Sequence, residues 1–462
     1  MTATNDDEAC SSVPFVTRRA PLAGSPMYFA HARSLLVFAI VVCCARIPYL
    51  DAQQRPPAID LKNALELARG NSRQLQSATL DISLAREDRN QAKAVLLPSL
   101  NYFNQAIYTQ GNGTESGIFV ANDGVHIYNS QAQVHQEIFS PEKLAEYRRT
   151  IAAQSLAAAK KDIVERGLVA TVVESYYTAV AAKRKAANSQ KALEEAQRFV
   201  EVTQRLEKGG EVARADVIKS QLVLQQRQRE QQDAALAVEK SRIALAVLLF
   251  PSYRIDFDLV DDLNSPEALP SYDEIETSAR AKSPELRAAE ETVRQEEYAA
   301  KAARAGYLPT LSFDYFYGIN SRQFAIHDNE GLNRLGSSAQ ATLNIPVWDW
   351  WSTRSKVRQA DMKRQQARLE LELSRSQLIS NLHAVYFEAQ TALVQLDSLK
   401  RSQEDAAESL RLTHLRYEAG EISVLEVVDA QSTLVEARNS YDSGLARYRL
   451  ALANIHTLTG TI

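Results

Sequence analysis

Two matching stretches of the chain place an acid at the same distance behind a glycine. The first runs Gly210-Glu211-Val212-Ala213-Arg214-Ala215-Asp216-Val217-Ile218-Lys219-Ser220-Gln221. The second runs Gly420-Glu421-Ile422-Ser423-Val424-Leu425-Glu426-Val427-Val428-Asp429-Ala430-Gln431. In each, a carboxylate (Asp216 or Glu426) stands six residues after the Gly, and the second stretch adds Asp429. Each stretch lies between two long runs of helical composition. A Gly just past a helix is the usual left-handed cap, because without a Cβ it takes positive φ at little cost. Each stretch therefore predicts the bend of a helical hairpin, with its acids in the first turn of the return helix. There the aligned peptide dipoles stabilise negative charge, so the plainest role of these acids is as solvated helix-start charges.

Other chemistry has weaker support. His126, His135, His327, His383, His414 and His456 show no paired ligand spacing, so no metal site is expected. No Ser/His/Asp or Cys/His arrangement stands out, and neither an enzyme nor a cofactor is expected. Gly111-Asn112-Gly113 with Gly117 has no helix start behind it, which argues against phosphate binding. Asn112-Gly113-Thr114 fits a glycosylation triplet but reads as loop. Positive and negative residues nearly balance, at a net charge of -4, and no basic stripe with interleaved aromatics is present. Nucleic acid is therefore not an expected partner.

The elements that must position the acids come in two sets. The bends lie about 210 residues apart, which is the spacing of a duplicated half-chain and not of a short solenoid repeat. In the first half, Ala64 to Val95 has the apolar spacing of a helix and stops at Leu97-Pro98-Ser99-Leu100, where the proline forces an extended chain. Asn101 to Tyr108 follows, then a glycine-rich loop, then His126 to Gln136. In that last stretch Tyr128, Ala132 and Val134 alternate with Asn129, Gln131, Gln133 and His135, which describes a strand with unlike surroundings on its two faces. Ser140-Pro141-Glu142 starts a helix that runs to Lys208, about 100 Å at 1.5 Å per residue. Beyond the bend Val212 to Leu249 returns. The two shorter helices placed end to end would match the long one.

The second half repeats this order. Phe250 to Asp273 reads as a linker, and Ser283-Pro284-Glu285 as the cap of a helix segment. Leu308-Pro309-Thr310-Leu311 matches the first Leu-Pro stretch, and two alternating strands surround the loop Asn320 to Gly336. Trp348-Asp349-Trp350-Trp351 opens the next long helix, with Asp349 as its expected N-cap and the tryptophans as a girdle at a membrane interface or as packing at the junction. That helix reaches Glu418, and the return runs from Ile422 to about Thr457. The expected organisation is thus a first repeat over 59–250, a linker over 251–272 and a second repeat over 273–462.

The start of the chain carries an export signal. Arg33 precedes the apolar run Leu35 to Ala45, too short for a spanning helix, and small or polar residues follow. Residues 1–52 are read as this signal region, with Met27 as an alternative start. Cleavage after Ala45 or Ala52 would remove Cys10, Cys43 and Cys44, the chain's three cysteines.

Four alternating strands of membrane-crossing length cannot close a barrel, and open sheet edges are not tolerated in lipid. Three chains would give twelve strands around an open lumen; two or four chains are not excluded by the sequence. Narrow, alanine-rich apolar stripes on the helices suit a wall one helix thick and wet on both sides.

Together the Leu-Pro strand starts at Pro98 and Pro309 and the two bends, above all Tyr417-Glu418-Ala419-Gly420-Glu421-Ile422 through Gln431, resemble the outer-membrane efflux protein (TolC) family from Ile59 to the C-terminus. The resemblance implies a mainly α chain with a small membrane β part. Three copies would share a twelve-stranded barrel above a long periplasmic α-barrel. It implies a passive exit duct in the outer membrane for efflux or type I secretion, working with a periplasmic adaptor and an inner-membrane transporter. By position it implies that Glu426 and Asp429 ring the narrow entrance, and that Asp216 and Tyr417 help hold it shut. The bends at Gly209, Gly210, Val212, Gly420 and Ile422 would meet the adaptor. A ring of three or six carboxylates in such a neck attracts cations and repels anions. Glu426 departs from the family's more familiar Asp, and Leu206 stands where Arg416 stands in the second half. The alternative reading is a periplasmic coiled-coil adaptor or scaffold, which would have no use for two-faced strands between its helices.

Overall fold

The computed structural model describes residues 58–108, 126–252, 256–264, 267–321, 325–327 and 331–460. The signal region, its cysteines and the glycine loop with Asn112 lie outside the described residues. In chain order the elements are β1 (Ala58–Ile59), α1 (Leu61–Asn71), α2 (Arg73–Ala94), β2 (Ser99–Tyr108), β3 (His126–Phe139), α3 (Pro141–Gly209) and α4 (Arg214–Leu249). Then come β4 (Asp258–Leu259), α5 (Tyr272–Lys282), α6 (Pro284–Ala305), β5 (Thr310–Ser321), β6 (Leu335–Asn344), α7 (Ser352–Glu418) and α8 (Val424–Thr459). The two halves carry the same order with closely matched lengths: 11 and 11 residues in α1 and α5, 22 and 22 in α2 and α6, 69 and 67 in α3 and α7, 36 and 36 in α4 and α8.

Three details differ from the sequence expectation. The helix read as Ala64–Val95 is two helices, because Ser72 leaves the helical region and its hydroxyl accepts from the Leu75 amide. Ser283 does the same before α6, accepting from the Leu286 amide at 3.2 Å. Ahead of α7 the residue at the N-cap position is Trp351, not Asp349. Trp350 and Trp351 both take positive φ, at 55° and 66°. Asp349 still accepts from the Thr353 amide at 2.6 Å, capping the helix from two residues further out. Finally, the linker is part of the core: β4 pairs in parallel with β1, and Phe257 and Leu263 are buried.

That core lies where the short helices meet beside the long one. It joins Leu65 and Ala68 of α1, Val172, Val173 and Tyr176 of α3, Leu245 and Leu249 of α4, and Leu445 and Tyr448 of α8. The Asn71 side-chain amide at the end of α1 donates to the Leu249 carbonyl at the end of α4, at 2.7 Å. One rod is thus continuous and the other broken, as the lengths predict. The Tyr176 hydroxyl donates to the Val260 carbonyl at 2.7 Å and ties the linker down.

The strands form one antiparallel sheet in the order β2-β3-β5-β6. The helices that continue them lie in the same order, with α2 on α3, α3 on α6 and α6 on α7. Register fixes the two faces. On one, Asn101, Gln133 and Phe316 are neighbours, as are Ser99, His135, Asp314 and Gln340. On the other lie Leu100, Val134, Tyr315 and Ala339, and Tyr102, Ala132, Tyr317 and Ser337. The first face is rich in amides and the second in aromatic and aliphatic groups. A β-bulge between Glu137 and Phe139 ends the regular pairing of β3.

Candidate functional site at the helical bends

Both bends close in the same way. At the first, the Gly210 amide donates to the Glu207 carbonyl and the Glu211 amide to that of Leu206, both at 2.9 Å. At the second, the Gly420 amide donates to Tyr417 and the Glu421 amide to Arg416, again at 2.9 Å. This paired closure satisfies the last helical carbonyls and requires a left-handed residue at the turn. Gly210 and Gly420 supply it at φ 77° and 74°.

The side chains around the two bends differ. Arg214 pairs with Glu207 at 3.2 Å across the first bend. The equivalent positions in the second half, Val424 and Tyr417, are both buried. They pack with Phe199 of α3 and with Val427, flanked by Val202, Leu206, Val212, Ile422 and Val428. Leu206 thus serves this apolar contact between the hairpins, whereas Arg416 reaches Glu421 at 3.4 Å. Val212 and Ile422, picked from the sequence as docking residues, are half-buried in the same cluster.

Among the sequence-predicted residues, Asp216 and Tyr417 are brought together and Glu426 and Asp429 stay in solvent. Tyr417 is 3% exposed and its hydroxyl has no hydrogen-bond partner among the described residues. Burial first, and then the negative charge of Asp216, hold this phenol above its ordinary range. Glu426 is exposed and its carboxylate accepts from the Ser423 amide at 3.4 Å, the reciprocal half of a capping box. Asp429 is exposed on the same helix turn. Pro98 and Pro309 stand immediately before β2 and β5, each following a helix whose last turn is tightened: Leu97 donates to Ala94 and Leu308 to Ala305.

The spacing of the chain gave no sign of the polar seam between α3 and α8. Arg184 pairs with Asp442 at 2.9 Å, Asn188 donates to Asp442 at 2.8 Å, and Arg438 meets Glu195 at 3.2 Å. Further along, Arg227 of α4 is buried, bound to Glu230 at 2.7 Å and to the Ser432 hydroxyl at 3.0 Å. It lines a cavity of about 650 Å³ bounded by α3, α4 and α8, with Lys185, Asp233, Glu436 and Asn439. Among the described residues no cluster of three His, Cys, Asp or Glu is arranged to hold a metal ion.

A family model described as outer membrane efflux protein matches residues 64–249 and 277–461. The chain is 23% identical over 421 residues to the alkaline protease secretion protein AprF of Pseudomonas aeruginosa, covering 88% of this chain and 85% of that protein. It is 21% identical over 440 residues to the outer membrane protein TolC of Escherichia coli, covering 88% and 83%. The structure of the outer-membrane channel OprN superposes with a TM-score of 0.78 at 19% identity, over 87% of this chain and 89% of that one.

Proposed function

Since the chain belongs to the outer membrane efflux protein family, and is accordingly an outer-membrane channel, we propose that three copies close a single twelve-stranded barrel on a common helical tunnel. The carrying observation is the four-stranded sheet with one amide-rich face, one apolar face and two edges that are unpaired among the described residues. Backbone groups on such edges must be satisfied inside the hydrocarbon, and sister chains supply the partners. The helices ask for the same neighbours. Only Ala78 of α2 is buried while Leu80 and Leu84 are 64% and 65% exposed, and at the other end of the row Met362 and Leu369 of α7 are 64% and 66% exposed.

In this reading the two repeats, 59–250 and 273–462, are copies of one unit joined by 251–272. The duct is passive. Its periplasmic end is the pair of bends, where Glu426 and Asp429 border the entrance and the Asp216–Tyr417 contact holds it narrow. The tips at Gly209, Gly210, Val212, Gly420 and Ile422 meet a periplasmic adaptor, which in turn couples to an inner-membrane transporter. The names of AprF and its relatives in protease secretion fit a duct wide enough for more than small solutes, and the same architecture serves efflux.

Mild-detergent extraction of the mature protein, followed by mass determination and planar-bilayer recording, tests the proposal. A trimer that forms discrete pores is expected. A water-soluble single copy without pores would sink it.

A further inference from the structure

The four membrane strands contain two carboxylates, Glu137 and Asp314, and no lysine or arginine. Both lie on the amide-rich face, near the end of the sheet that continues into the helices. They are joined there by His135, whose Nδ1 is 2.8 Å from Asp314 Oδ1 and whose Nε2 is 3.6 Å from Glu137 Oε1. Gln133 Nε2 donates to the same Asp314 oxygen at 3.1 Å. Lys143, in the first turn of α3, forms an ion pair with Glu137. The lysine therefore offsets Glu137, while the partners of Asp314 among the described residues are Gln133 and His135, one neutral and one weakly basic.

From this arrangement we infer that Asp314 is a second charge filter of the duct, set in the barrel and separate from the acids at the bends. The inference rests on the trimeric-duct reading, which turns the amide-rich face inward and makes three copies of Asp314 into a ring. Asp314 is the uncompensated charge of that ring. A ring of fixed carboxylates in a water-filled bore raises the local cation concentration and lowers that of anions. Gln133 and His135 are positioning residues: their two donors hold one oxygen of the carboxylate. A carboxylate near the rim of a sheet is costly to keep unless it is solvated or hydrogen-bonded, and Asp314 is hydrogen-bonded twice while its side chain stays partly exposed on this face.

The test uses purified trimers in planar bilayers under a potassium chloride gradient. The parent carries Glu426→Gln and Asp429→Asn, so that the two acids assigned to the entrance contribute no selectivity and the remaining bend charges are the same in every protein compared. In this parent, Asp314→Asn is expected to lower the potassium-over-chloride permeability ratio about twofold at ~0.1 M salt, with the difference shrinking at ~1 M as screening shortens. Asp314→Glu, which keeps the charge, is expected to retain the ratio. An unchanged ratio in Asp314→Asn at low salt overturns the inference. So does an equal loss in both variants, which would mean a distorted strand. If the unaltered protein forms neither trimers nor pores, the duct reading itself fails, an outcome told apart by the mass measurement.

Discussion

Asp216, in the first turn of α4, sits near enough to the buried ring of Tyr417 on α7 for its negative charge to raise the phenol's pKa. The Tyr417 hydroxyl is sealed from water without a hydrogen-bond partner among the described residues, a condition that folded proteins seldom leave standing. Tyr417→Phe removes the hydroxyl and keeps the ring packed on Phe199, whose centroid lies 5.3 Å away. The expected outcome is a melting temperature equal to or above the parent's, since a buried hydroxyl without a partner is removed, and a higher resting conductance. Bilayer recording beside a thermal melt checks both, and an unaltered conductance would separate Tyr417 from gating. Asp216→Asn is expected to shift conductance in the same direction.

The bends themselves are braced by a hydroxyl pair. Thr203 Oγ1 of α3 lies 2.9 Å from Ser220 Oγ of α4, both fully buried. Each hydroxyl is also within reach of its own helix, Thr203 at 3.0 Å from the Val200 carbonyl and Ser220 at 2.9 Å from that of Val217. Thr203→Val should cost about 1 kcal/mol, since the bond is lost but Ser220 keeps a local partner. The double variant Thr203→Val/Ser220→Ala should cost less than the sum of the singles, because the second change has no bond left to remove. Denaturant titration of the four proteins measures this coupling.

Much of this architecture is legible in the residues. Positive φ at Gly210 and Gly420 follows from the demand of a tight helix end, and period two in β3 foretells its unlike faces. The break at Ser72 was missed: Gly70-Asn71-Ser72 are poor helix formers in a row, but the apolar spacing ran on across them and masked the stop. The left-handed pair Trp350-Trp351 could not be read, because bulky residues rarely take that backbone and nothing in their types announces it. The seam of Arg184, Asn188 and Asp442 was hidden for another reason. It joins residues more than 250 positions apart, and exposed-looking charges on separate helices carry no mark of their partners.

Alkaline pH should weaken the fold through two adjoining tyrosines. Tyr176 and Tyr177 are 1% and 4% exposed. Burial, and then the charge of Asp262, pushes Tyr177 up to about 12 and raises Tyr176 further. Below pH 10 both phenols are protonated in the folded and unfolded chain, so they add no pH dependence. Above it the unfolded chain releases the protons first, and stability falls as pH rises through the folded values. The melting temperature should be flat to about pH 10 and then drop, with a shallower drop in Tyr177→Phe. A Tyr177→Phe profile that overlies the parent would remove this residue from the alkaline transition.

A tight glycine position in the sheet sets the last expectation. Gly318 of β5 faces Gln131 of β3, and a Cβ placed on it would collide with the Ser130 carbonyl oxygen and the Gln131 Cα. Those are main-chain atoms of a paired strand, so no side-chain rotation relieves the clash; β3 and β5 must move apart. These two strands join the first half of the chain to the second, so any widening there also opens the sheet at its centre. Gly336, which faces Gly318 from β6, has open space around its own Cβ position and tolerates the same change. Gly318→Ala should therefore cost about 1–3 kcal/mol or more and lower the yield of assembled protein in the outer membrane, while Gly336→Ala leaves it near the parent level. Heat-dependent gel mobility of the oligomer ranks the three proteins. Equal behaviour of the two variants would mean that the β3–β5 contact adjusts at no cost.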